Sequence, residues 1–232
     1  GNVTSSGVAS VTARGVCWST SANPTIAGSR TNNGTGTGPF TSNLTDLQPG
    51  TTYHIRAYAT NSAGTGYGDD LTFTTQATIP TLSTTAASSF TTTSAASGGN
   101  ITSNGGAAIT ARGVCWGTSA SPTVAGSHSN DGTGNGLFTS SITGLTPGTV
   151  YYARAYATNS VGTAYGLQIE FCTSIADVEG NIYRIVKIGN QVWMAENLRT
   201  TKYTDNSDIP YVTDAEEWSG LTTPAYCWYA NN

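Results

Sequence analysis

Charge is what this sequence has least of. Only 9% of its 232 residues are Asp, Glu, Lys or Arg, against roughly a quarter in an ordinary soluble domain. Lys and Arg number nine, scattered along the chain with no basic cluster, so nucleic acid is excluded as a partner. No apolar run reaches the length of about 18 residues that a membrane-crossing helix needs, and the first residues carry no signal-peptide pattern. Histidine occurs twice and methionine once. No stretch before residue 212 keeps a helical period. Thr, Ser, Gly and Asn fill the space left by charge. Such composition goes with disorder where core residues are missing, but Val, Ile, Leu, Phe, Tyr and Trp recur here, which predicts small folded modules.

The few charges are unevenly placed. Residues 1–176 hold five acids and five arginines, so the net charge of −4 lies wholly in 177–232, where eight acids meet four bases. A near-neutral surface over 1–176 lacks the repulsion that keeps copies apart and tolerates self-association.

The chain repeats itself. Residues 1–76 align with 99–174 without a gap at an offset of 98, and 48 of the 76 positions are identical. "TARGVCW" stands at 12–18 and 110–116, "RAYATNS" at 56–62 and 154–160. A period near 100 is too long for a solenoid unit and suits a whole β-sandwich. In the second copy Tyr151, Ala153, Ala155 and Ala157 alternate with Tyr152, Arg154, Tyr156 and Thr158. Period two sends the sets to opposite faces, with the Arg/Tyr set predicted to face outward because an unpaired buried Arg is costly. Leu145-Thr-Pro147-Gly148-Thr-Val-Tyr151 predicts a corner in which the Tyr151 hydroxyl bonds back to the chain before its strand, and Tyr53 takes that place in the first copy.

These residues resemble the fibronectin-III-like repeats of large bacterial surface and secreted proteins. "ARGVCW", "PTIAG"/"PTVAG", "LxPGTxY" and "RAYATNSxGTxYG" carry the resemblance, over about three quarters of the chain. It implies an all-β fold of tandem fibronectin-III/Ig-like sandwiches and an extracellular or cell-surface location. The expected divisions are a first module at 1–76, a complete module at 77–174 and a different segment at 175–232.

The copies differ in what comes before them. Thr81–Gly98 supplies the first strand and the start of the second to the second copy, and the residues given contain no counterpart for the first. An open first module is expected, with an assembly edge at Gly1, Asn2, Val3 and Thr4. Either a longer chain continues before Gly1, or a neighbouring molecule donates the strand and builds a head-to-tail filament.

Past residue 174 the pattern changes. Ile182, Arg184, Val186 and Ile188 alternate with Tyr183, Ile185 and Lys187, Gly189-Asn190 marks a turn, and Gln191–Met194 returns: a β-hairpin. Thr213–Trp218 predicts one short capped helix. "DVEGNIYRIVKIGNQVWMAENLRTTKY", "IPYVTDAEEW" and "TPAYCWYANN" resemble the opening part of the Fibrobacter succinogenes major paralogous domain. That family implies secreted or surface lipoproteins and brings no activity.

Candidate chemistry is sparse. Cys17 and Cys115 share a repeat position and read as small buried hydrophobes. Because His54 and His128 align with Tyr152 and Arg30, no Cys–His site recurs. Cys172 and Cys227 lie outside the repeat pattern and are candidates for a disulfide. The glycine runs 33–38 and 131–136 lack the strand-to-helix setting of a phosphate loop. Asp205, Asn206 and Asp208 read as a solvated turn rather than a calcium loop. Arg14, Arg56, Tyr58, Arg112, Tyr152, Arg154 and Tyr156 form an expected exposed cation–π face, serving either module stability or the binding of sugars or protein. The expectations are therefore no enzyme, no cofactor and no metal. The expected partners are copies of the chain or neighbouring modules, and glycans.

Overall fold

The computed structural model of the protein describes residues 1–227. The chain falls into two compact units: Gly1–Pro80 with Ser103–Ala108 and Asn159–Gly162, and Thr81–Thr102 with Ile109–Thr158 and the chain from Thr163 on. The first unit carries β1 (Asn2–Val3), β2 (Ala13–Ser19), β3 (Ser29–Arg30), β4 (Gly38–Pro39), β5 (Thr52–Asn61), β6 (Gly64–Tyr67) and β7 (Leu71–Thr74). The second carries β8 (Thr81–Ser88), which has no counterpart in the first, and then the counterparts β9 (Ser94–Ser103), β10 (Ala111–Gly117), β11 (Ser127–His128), β12 (Gly136–Thr143), β13 (Val150–Thr158), β14 (Thr163–Tyr165) and β15 (Ile169–Cys172). After these come β16 (Ile175–Ala176), β17 (Ile182–Tyr183), β18 (Ile185–Ile188), β19 (Gln191–Met194) and the helix α1 (Ala215–Gly220).

The second copy is a sandwich of two sheets. One sheet runs β11-β10-β13-β14, with β15 also on β13; the facing sheet runs β12-β9-β8. This is the fibronectin-III/Ig-like all-β arrangement. Its core follows from alternation: Ala153, Ala155 and Ala157 on β13 are 0% exposed and pack with Ile101, Val114, Phe138, Ile142 and Phe171, while Leu82 and Ala87 of β8 close one side. The alanines are small because two sheets meet closely over them. Gly99, on β9, admits no side chain, since an added Cβ would stand 2.7 Å from the Ala155 methyl and 2.8 Å from the Ser83 carbonyl.

The first copy repeats one sheet and not the other. β3-β2-β5-β6 with β7 on β5 matches its counterpart strand for strand, down to the register Arg14↔Ala59 against Arg112↔Ala157. The facing sheet is reduced to β1 paired with β4, Asn2↔Pro39 and Val3↔Gly38.

Beyond the repeat, the hairpin begins later than alternation predicts. Ile182 and Tyr183 pair back on Ala176 and Ile175, and only Ile185–Ile188 joins the turn to Gln191–Met194. Asp177 causes the break. Its carboxylate accepts from the amides of Glu179 and Asn181 and from the Tyr183 hydroxyl at 2.6 Å, folding a tight loop before β18. Gly189 supplies the positive φ of +62° at the hairpin turn. Helix α1 is capped by Asp214, which accepts from the amides of Glu216 and Glu217 at 2.9 Å.

Candidate functional site

The feature that stands out is a groove of about 540 Å³ on the first copy. Its floor is β5 from Ala57 to Asn61, one wall is β1 and the residues after it, and the other is β6 with Gly68. The corresponding space in the second copy is filled by β8. There the Thr84 hydroxyl accepts the Ala155 amide at 3.0 Å, the Thr102 hydroxyl donates to the Thr81 carbonyl at 3.2 Å, and Leu82 and Ala87 enter the core. The counterparts of Ala155 and Thr102 are Ala57 and Thr4, and both line the groove. Burial differs to match. Ile55, Ala57, Ala59 and Phe73 are half-buried where Ala153, Ala155, Ala157 and Phe171 are buried. Of the expected edge, Asn2, Val3 and Thr4 line the groove, and Gly1 is tied to Phe40 at 2.9 Å.

Gly166 and Gly68 show the fit most sharply. A Cβ on Gly166 would lie 2.7 Å from the Thr84 amide and 2.9 Å from the Ser83 carbonyl carbon, so β8 runs hard against this glycine. A Cβ on Gly68 would meet nothing nearer than the Ala57 methyl at 3.7 Å.

The expected exposed Arg/Tyr face needs correction. Tyr58 and Tyr156 are 5% and 3% exposed. They do lie on the outer face of their sheet, but opposite Gly15 and Gly113, which have no side chain to hold a loop off. The next loop therefore folds over the ring, and each hydroxyl donates to its backbone, at Thr31 (2.6 Å) and Ser129 (2.7 Å). The arginines are half-buried and committed to their own module. Arg14 donates to the carbonyls of Asn33, Gly36, Thr37 and Gly38 and stacks on Phe40; Arg112 donates to those of Asp131, Gly134 and Asn135 and stacks on Phe138. Arg56 and Arg154 donate to Gly68 and Gly166 and lie 4.6 Å over Tyr67 and Tyr165, rather than over the tyrosines of their own strands. Tyr152 is half-buried, with the Lys187 ammonium 5.9 Å from its ring.

The Tyr53 and Tyr151 hydroxyls accept from the Gln48 and Thr146 amides at 3.0 and 3.1 Å. Cys17 and Cys115 are 0% exposed; burial pushes both thiols up, the opposite of nucleophile activation. The candidate disulfide is absent, since Cys172 and Cys227 are both free. Cys172 is held on β15 opposite Val150, whereas Cys227 follows Tyr226, whose backbone is bonded to Pro210 and Val212. Asp205 accepts from the amide and hydroxyl of its neighbour Ser207, a local turn, and no group of three or more His, Cys, Asp or Glu able to hold a metal occurs among the described residues.

Sequence reasoning missed one clamp. Asp70 accepts the Asn23 amide at 2.7 Å and pairs with His54 at 3.0 Å; the Asn23 amide, then His54, holds its carboxyl below the usual range. In the second copy Gln168 accepts the Ser121 amide in the same place. The signal was available: positions 23, 54 and 70 change together between copies, to Ser121, Tyr152 and Gln168.

No family model matches the chain, and no curated protein matches it. Solved structures similar to it include the FN1–FN3 domains of chicken CNTN1, at 14% identity and TM-score 0.32 over 69% of this chain, and domains A168–A170 of titin, at 20% identity and TM-score 0.32 over 53%. The chain spans 56% of the first and 40% of the second, and no function passes to it from either.

Proposed function

We propose that this chain is a structural and adhesive part of a bacterial extracellular surface, and that copies join head to tail when a strand from one fills the first-module groove of the next. The observation that carries the reading is the groove itself, a site shaped like one that holds a β-strand in the same chain. Strand addition satisfies an open sheet edge with backbone hydrogen bonds, and a contact between different surfaces of two copies propagates into a fibre. The near-neutral surface of 1–176 adds no repulsion between copies. In this reading the domains are a first module at 1–76, a complete one at 77–174 and, from 175, the opening of a major-paralogous-type domain. No enzymatic activity is assigned to any of them.

Electron microscopy and light scattering of the native material test this. Fibres with a regular subunit repeat are expected. A monodisperse monomer at high concentration overturns it, as does a native polypeptide whose own residues before Gly1 fill the groove. A monomer that binds glycans replaces it with a carbohydrate-binding role.

A further inference from the structure

Resting on the strand-addition reading, we infer which strand the groove selects: an extended segment of the pattern Leu-x-Thr-x-x-Ala, with Gly68 as the residue that admits it. The pattern is that of β8, Leu82-Ser-Thr84-Thr-Ala-Ala87. Each position has its own reason. Leu at the first place and Ala at the last reach the core, as Leu82 and Ala87 do, and cover the half-buried Ile55, Ala59 and Phe73. Thr in the middle presents a hydroxyl to the Ala57 amide, as Thr84 does to Ala155. Thr4 donates to the carbonyl of the residue preceding the Leu, as Thr102 does to Thr81. The residues marked x face away from the core and are free to vary.

Gly68 makes the inference testable without damage to the module. It does not sit in the positive-φ region, so a side chain there adds no backbone strain, and in the open groove its Cβ meets only ordinary contacts. With a strand in place the same Cβ would strike backbone, as the Gly166 geometry shows. Gly28 is the control outside the groove: it too lies outside the positive-φ region, and its Cβ would meet only the Thr25 carbonyl oxygen, at 3.8 Å.

The probe is a synthetic peptide of residues 80–90, PTLSTTAASSF, added to the 232-residue chain. Calorimetry should show one site per chain and a raised melting temperature for the first copy. Placing Asp at the Leu position should weaken binding at least about tenfold, since a carboxylate cannot enter the core. Val at the central Thr should weaken it about fivefold, the worth of one hydrogen bond. Gly68→Val should abolish binding while the circular dichroism of the chain is unchanged, and Gly28→Ala should keep it. Gly68→Ala, the smallest side chain that reaches the strand, serves if valine disturbs the module. Equal binding by the Gly68 variants and the parent overturns the inference, as does no binding by the parent. Fibres that form regardless of Gly68→Val sink the inference and leave assembly standing. Peptide binding without fibres does the reverse.

Discussion

The two copies are 48 residues in 76 the same, and one has a closed core where the other has an open groove. Ala155 and Ala57 sit in the same heptapeptide, RAYATNS, yet the first is 0% exposed and the second half-buried. Burial in this fold is set by whether a strand lies across the alanines, and their local sequence has little say. The sheet that both copies share needs no such help. Cys17 and Cys115, at its centre, are equally buried and donate to equivalent carbonyls, Arg56 and Arg154.

The largest expected effect is at the phenylalanine of the last repeat strand, Phe171 on β15 and Phe73 on β7. Phe171 is 5% exposed and meets both Tyr151 and Phe90, whereas Phe73 stacks on Tyr53 and is half-buried. Phe171→Ala should cost about 3–5 kcal/mol, the usual range for a buried Phe. Phe73→Ala should cost about half as much, because part of its surface is already in water. Urea unfolding followed at each unit's own transition reads both. Equal losses would mean that the groove is closed in solution.

The glycine pair sharpens the contrast. Gly166→Val forces β8 away from β13 and should cost about 1–3 kcal/mol, the range for overpacking. Gly68→Val should stay within about 0.5 kcal/mol, as for a surface change. A comparable loss at Gly68 would show a strand in place there. A smaller effect comes from Thr84→Val, which keeps shape and removes the acceptor of the Ala155 amide. It should cost about 1 kcal/mol and speed hydrogen exchange at Ala155 toward the rate at Ala57.

How much of this was legible beforehand depends on range. The tandem sandwiches and the tyrosine corners followed from repeat, alternation and motif, which are local or self-comparing signals. The Arg/Tyr face did not. Alternation places Tyr58 and Tyr156 on the outer face correctly, but whether that face meets water depends on a loop some 27 residues earlier, which turns in over Gly15 and Gly113. The glycines in "ARGVCW" are the trace of that loop and acquire meaning only once the strand opposite them is known. The late start of the hairpin failed for a related reason: period two continues through Ile182–Ile188, and one carboxylate, Asp177, breaks it by gathering four hydrogen bonds. The close approach of β8 to Gly166 was invisible too, since both copies carry glycine there and only one has a strand against it.

Acid gives the finest test, because the copies differ in one titratable clamp. The Asn23 amide donates to Asp70, which ionises, and the Ser121 amide to Gln168, which does not. Asp70 is depressed in the folded chain, so its stabilisation is complete above the ordinary aspartate value of about 3.9 and is lost as pH falls through the lower folded value. Asp177 behaves alike in the C-terminal segment: burial would raise its carboxyl, but the bonds from Tyr183, Asn181 and Glu179 hold it at about 2. Its contribution should therefore fade between about pH 4 and about 2. In a backbone NMR titration the amides of Glu179 and Asn181 should move over that acid range, and that of Asn23 as acid protonates Asp70, while Ser121 stays still. A Ser121 amide that moves in step with Asn23 would mean that the acid response belongs to the shared sheet and not to the residues that distinguish the copies.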